Sequence, residues 1–321
     1  MAELFWNRDE QRLRAGIRML VYFALWGFGP AALHSILGNV LRNAAPADWQ
    51  WLVGIVADLL RLAAVLAATV IAARWIDRRP LQSYGLRIDR RWLGDLVFGA
   101  LLGAVLMVGV FVVGWLADWY AITDVWVSAP ATMPFVLTIW APITWFAVIA
   151  IAEELLCRSN QLLNLAEGWQ PSGRLVAVTL AWLVSSAIFA LLHVYNPHSN
   201  WYTTLCLLGY GLFFGLGYVL TGQIALPIGL HFTWNFVQGN IFGFPVSGRV
   251  THATSLFVTQ ESGPDLWTGG AFGPEAGLLG LLAALAGAGV IVLWARWRYG
   301  GVGYAHFYAC MRETGIERLG D

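Results

Sequence analysis

The chain has 321 residues, 58% of them hydrophobic and only 12% charged, against roughly 25% charged in soluble domains, so an ordinary soluble fold is excluded. Its nineteen basic residues are all arginine and are balanced by nineteen acidic ones, so the net charge is zero and no overall attraction to nucleic acid follows. The use of arginine without lysine points to a GC-rich genome and a bacterial source.

A spanning helix needs about 20 mostly apolar residues. Eight such stretches occur, at about 17–40, 50–73, 93–117, 134–156, 176–195, 202–220, 224–243 and 276–296. The first follows four arginines and has no small-residue cleavage site after it, so it is expected to be retained. The second contains Asp58 and Arg61, three apart and read as a local ion pair. The third carries Gly99 and Gly103, the sixth Gly211 and Gly215, and the last Gly277, Gly280, Gly287 and Gly289; such spacings let helices pack closely within one bundle. The fourth is expected to continue as a helix past its polar end. Trp49, Trp51, Trp119, Trp201 and Trp297 fall at helix ends, where tryptophan anchors the membrane interface. Cys157, Cys206 and Cys310 stand apart without a CxxC pair and are read as packing residues.

Only the stretch at about 244–275 is a long polar connection, so residues 1–321 are read as a single membrane domain of all-α class. With a cytoplasmic N-terminus, sixteen arginines, from Arg8 to Arg318, fall on the cytoplasmic side and only Arg42 and Arg249 on the other. That bias agrees with an even helix count and both termini inside.

Ionisable groups inside spans cost about 2.5–3.5 kcal/mol each by insertion scales, so each calls for a reason. Glu154 and Arg158 are four apart and share a helix face, whereas Glu153 is turned about 100° away, leaving one carboxylate neutralised and one available. Phe189 and His193 end the fifth helix; His231 and Asn235 share a face of the seventh. One polar cavity would satisfy Glu153, His193, His231 and Asn235 together, where separate burial would incur the cost several times. His198 in its turn could line the site mouth but reads as a loop residue, and His34, His252 and His306 have no companions suggesting chemistry.

The patterns Glu153-Glu154-xxx-Arg158, Phe189-xxx-His193 and His231-xxx-Asn235, in order on three helices, resemble the CAAX protease and bacteriocin-processing (CPBP, Abi-type) family of intramembrane proteases. The likeness covers about 145–243 within a catalytic core of about 134–243, and the run at 273–277 before the last helix also looks like bacterial members. The resemblance implies an intramembrane endopeptidase acting on a peptide or membrane-associated protein in a bacterial inner membrane. It implies Glu153 as general base, His193 helping to hold water, His231 and Asn235 as oxyanion donors, and Glu154 with Arg158 as braces. Phe189 reads as a packing or substrate contact. Glu153, His193 and His231 would also make a zinc ligand set with an open position, but no HExxH is present and the metal-free mechanism is favoured. A non-catalytic scaffold or transporter that retains the fold is the alternative; no internal repeat of the transporter kind is found.

Overall fold

The computed structural model describes residues 5–8, 10–250 and 254–312. His252 and Arg318 lie outside the described residues, as do the side chains of His34, Arg42, Cys310 and Arg312.

A short hairpin, β1 (Trp6–Asn7) with β2 (Arg12–Leu13), precedes α1 (Ala15–Ala44). There follow α2 (Ala47–Ile76), α3 (Arg90–Leu116), α4 (Phe135–Gly168), α5 (Arg174–Leu191) and α6 (Trp201–Thr221). The chain closes with α7 (Ala225–Phe236), α8 (Leu278–Tyr299) and α9 (Ala305–Arg312). Among the described residues six helices, α2 to α6 and α8, are long and apolar enough to cross a membrane. The other two predicted segments are helical as α1 and α7, but α7 has 12 residues extended by a five-residue π-turn.

The connections are not all irregular. Strands β3 (Tyr120–Val127) and β4 (Ser255–Glu261) pair antiparallel, so part of the predicted polar connection is a ribbon. Both strands are rich in β-branched and aromatic residues, which favour an extended backbone.

Local signals start and stop the helices around the site. Asn200 accepts from Tyr202 N and Thr203 N while Thr203 Oγ1 accepts from Asn200 N, a capping box that opens α6. Gly222, at φ +67°, ends α6 in the left-handed conformation that glycine adopts without a Cβ penalty, and the chain turns directly into α7. A Cβ on Gly99 would collide with Leu226 O and one on Gly103 would come 2.5 Å from Leu230 O, so α3 packs its glycine face on α7. Gly211 lies against Ser186 and Gly215 against Trp182 in the same way, joining α6 to α5. These four glycines thus pack helices within the bundle, as their spacing predicts; in α8 Gly287 does the same against Leu106 and Phe213, whereas Gly289 has nothing within 4 Å.

Helix α4 continues to Gly168, with a π-segment over Leu155–Leu162. The polar residues beyond the apolar run are buried in a second cluster. Glu167 accepts from Arg12 Nη2 at 3.3 Å, Arg18 Nη2 at 2.7 Å and Arg79 Nη2 at 2.5 Å. Asp77 accepts from Tyr84 Oη at 2.5 Å and from Asn164 Nδ2 at 3.1 Å. Three arginines predicted only as orientation signals therefore fix the hairpin, α1 and the α2–α3 connection to the end of α4.

Candidate active site

Because α4 runs through residues 135–168, Glu153 and Glu154 sit near its middle rather than at its end. Glu154 is fully buried and receives two partners, Arg158 Nε at 3.2 Å and His231 Nδ1 at 2.9 Å. A carboxylate oxygen only accepts, so His231 donates its Nδ1–H there and turns Nε2 towards Glu153, whose Oε2 is 4.0 Å away. That separation exceeds a hydrogen bond and leaves both atoms open on the same side. Glu153 keeps 18% of its side-chain surface exposed, and the predicted division into one braced and one available carboxylate holds.

Arg158 is the centre of the bracing. Besides Glu154 it donates Nη2–H to Gly211 O at 3.0 Å and places its Cζ 4.7 Å from the centroid of the Phe189 ring. Phe189 also approaches the rings of His193 (4.9 Å) and His231 (6.0 Å), and Phe214 stacks on His231 at 4.7 Å and 15°. The aromatic residue of the second motif is thus a buried platform shared by the arginine and both histidines.

His193 lies two residues beyond the end of α5. Its Nδ1 is 2.8 Å from Phe189 O, and because a carbonyl oxygen only accepts, Nδ1 carries the hydrogen and Nε2 of the neutral ring is left as an acceptor. Asn235, one turn after His231 on α7, is buried and makes no side-chain hydrogen bond with a described residue.

Glu153, His193, His231 and Asn235 all line one cavity of about 350 Å³, far above the roughly 10–15 Å³ that a single water needs. Its walls are aromatic and aliphatic, with Trp145, Phe146 and Ile149 of α4 facing Tyr210, Phe214 and Trp234. His198 is exposed, at φ +60°, and does not line the cavity; its neighbour Asn196 does. Arg61, predicted to pair with Asp58, instead lays its guanidinium over Trp145, Cζ to centroid 5.6 Å, and also lines the cavity. Among the described residues no three His, Cys, Asp or Glu side chains are grouped to hold a metal ion. His231 has committed Nδ1 to Glu154, which leaves Nε2 as its open ring nitrogen.

One wall residue was missed by the sequence reading. Glu275, in the turn before α8, is buried and accepts from Ser247 N at 2.8 Å, Ser247 Oγ at 3.1 Å and Gln238 Nε2 at 3.0 Å. Ser247 O in turn accepts from Asn196 Nδ2 at 2.9 Å, and Asn196 N donates to His193 O at 3.0 Å. Glu275 therefore ties the loop around Ser247 to the turn that carries His193. Burial pushes its carboxyl above the ordinary value, and the nearby His193 and the hydrogen bonds from Ser247 and Gln238 offset this only in part. The folded chain then keeps this proton at pH values where the unfolded chain has lost it, so the term favours folding at low pH and weakens as pH rises above about 4.5. Glu275→Gln retains an acceptor but cannot ionise. Thermal melts over a pH series are expected to show a flatter decline for the variant than for the parent.

Residues 135–237 match the sequence family described as Type II CAAX prenyl endopeptidase Rce1-like. Comparisons with curated proteins and with solved structures give no match. The matched stretch holds all seven residues of the three motifs and leaves out Arg61, Ser247, Arg249 and Glu275. The carboxylate, two histidines and amide that line the cavity, with the Glu154 carboxylate buried behind them, thus come from one recognisable unit, and the chain carries an Rce1-like, CPBP-family domain over residues 135–237.

Proposed function

We propose that the chain is an intramembrane endopeptidase that hydrolyses a peptide bond with a water activated by Glu153. The observation that carries this reading is the His231 ring seated between two adjacent carboxylates on the wall of a cavity large enough for water and peptide. A mid-membrane Glu–His–Glu–Arg array is costly to bury, and a hydrated reaction site explains why it is retained.

In the proposed step Glu153 removes a proton from water as the hydroxyl adds to the carbonyl carbon, and the Nε2 lone pair of His193 holds the water's second hydrogen. Asn235 Nδ2–H and, in its protonated form, His231 Nε2–H donate to the oxyanion, each such donor contributing about 10²–10³ in rate. Collapse of the adduct breaks the C–N bond, and the proton on Glu153 passes to the departing amine. Glu154 and Arg158 fix the His231 ring and its tautomer. No cofactor enters this scheme.

The substrate class is a peptide or membrane-associated protein segment. The lining residues Trp26, Arg61 and Trp145, from α1, α2 and α4, support access from the bilayer. The chain is read as one membrane domain of the bacterial inner membrane with both termini cytoplasmic, supported by the arginine bias.

Mass-spectrometric comparison of protein termini in cells carrying the parent or the Glu153→Gln chain tests this reading. New termini are expected only with the parent, and cleavage in isolated membranes is expected to persist in the presence of EDTA. Identical termini from both strains would reject hydrolysis in favour of a scaffold.

A further inference from the structure

A second cavity, of about 140 Å³, lies away from the candidate active site, where α3 starts and where α6 and α8 end. By the arginine bias these helix ends face the cytoplasm, at the level of the lipid headgroups. Helix α9 folds back beside it. Phe307 is fully buried against Tyr218 of α6, which seats the neighbouring His306 in the cavity wall. His306, without a companion in the sequence, here meets Arg87 and Arg91.

The wall combines cations with unmatched acceptors. Among the described residues the Arg91 side chain forms no hydrogen bond and no ion pair; its guanidinium leans on the Tyr299 ring, Cζ 5.6 Å from the centroid. Arg298 nearby is committed, with Nε 3.6 Å from Asp95 Oδ1. Asp89, the carboxylate of the wall, accepts from Trp92 N at 2.8 Å as the cap of α3. Two arginines against one capping carboxylate leave the wall positive. Gln223 Oε1 is buried and has no hydrogen-bond partner among the described residues, a state that calls for a donor in the cavity. His306 Nε2 lies 3.4 Å from Tyr299 O, which only accepts, so Nε2 carries the hydrogen and Nδ1 of the neutral ring stays an acceptor.

We propose that this cavity binds the headgroup of an acidic glycerophospholipid of the cytoplasmic leaflet, its phosphate on Arg87 and Arg91 and its hydroxyls donating to Gln223 Oε1 and His306 Nδ1. Guanidinium groups match phosphate oxygens in charge-assisted hydrogen bonds, and basic pockets between spanning helices on the cytoplasmic side suit such headgroups. The lipid would join the ends of α3, α6, α8 and α9. None of these helices carries a residue of the three motifs, so the inference stands apart from the peptidase reading.

Native mass spectrometry of the full-length chain in detergent micelles, titrated with lipids of one acyl composition, tests the site. A single phosphatidylglycerol is expected to bind about ten-fold more tightly than phosphatidylcholine, the scale of one hydrogen bond to a charged group. Phosphatidylmethanol, equal in charge but without hydroxyls, is expected to fall between them. Arg87→Gln with Arg91→Gln is expected to erase the preference over phosphatidylcholine, and the matching pair of lysine substitutions to retain part of it, which separates lost recognition from lost folding. Gln223→Leu is expected to remove only the step between phosphatidylglycerol and phosphatidylmethanol. Arg74→Gln, at an exposed position on the same membrane side, is expected to change nothing. Equal binding of phosphatidylglycerol and phosphatidylcholine, no step between phosphatidylglycerol and phosphatidylmethanol, a preference that survives the double glutamine variant, or an equal loss in Arg74→Gln would overturn the proposal. Excess glycerol phosphate is expected to leave the lipid bound; if it displaces the lipid and binds alone, the site takes free phosphate esters and the lipid assignment falls.

Discussion

Replacing Glu153 by glutamine is expected to lower peptide hydrolysis by about 10²–10⁴-fold, the range for loss of a general base. The substitution removes the basic oxygen but little else. Among the described residues Glu153 forms no short hydrogen bond, and its contact with His231 is 4.0 Å long, so the fold does not lean on it. The thermal unfolding midpoint is therefore expected to stay within a degree or two of the parent. Turnover measured in nanodiscs alongside a melt separates the two quantities, and a large loss of stability would show that Glu153 is structural.

Arg158→Met is expected to have the opposite profile, with stability falling by about 3–5 kcal/mol as the buried Glu154 carboxylate loses its cation. The same change frees Gly211 O and removes the cation from the face of Phe189. Pairing it with Glu154→Gln takes away the uncompensated charge, so the double variant is expected to regain part of the loss in denaturant or thermal melts. Activity is not expected to return with stability, because His231 would no longer be oriented by a charged acceptor. A double variant no more stable than Arg158→Met would place the cost elsewhere in the packing.

Local spacing made half of this arrangement legible. Four residues separate Glu154 from Arg158, and a helix turns that number into a shared face whatever surrounds it. The rotation that frees Glu153 follows from the same geometry. What spacing could not give is the 77-residue contact that puts His231 Nδ1 on Glu154, which sets the ring, expected only to share a cavity with Glu153, His193 and Asn235, between two carboxylates. Helix α4 continues past its polar end as expected, but hydropathy gave no sign that Arg158, Ser159, Asn160, Gln161 and Asn164, which ended the apolar run, are all buried. A window of composition cannot distinguish polar residues facing water from polar residues facing Tyr84, Asp77 and their neighbours. Helix α7 was visible as an apolar stretch, yet its length falls short of a full span. The ribbon had no period-two alternation in Tyr120–Val127 or Ser255–Glu261 to announce it, only an enrichment in β-branched and aromatic residues. Glu275 had no sequence companion at helical spacing, since Ser247 and Gln238 reach it through tertiary turns.

Arg61 and Glu275 also show how the cavity is completed from outside the family-matched stretch. One wall comes from α2 and another from the turn before α8, so in the proposed peptidase the domain at 135–237 would supply the reacting groups and the flanking segments would shape what they meet.

Single-turnover cleavage in water enriched in oxygen-18, using a substrate identified by its new terminus, tests direct water attack most closely. The parent protein is expected to place the heavy oxygen in the new C-terminal carboxyl on the first turnover, with Glu153→Gln yielding no product. An unlabelled first-turnover carboxyl would mean that an enzyme side chain attacks the carbonyl, and the account of Glu153 as a base acting on water would be wrong.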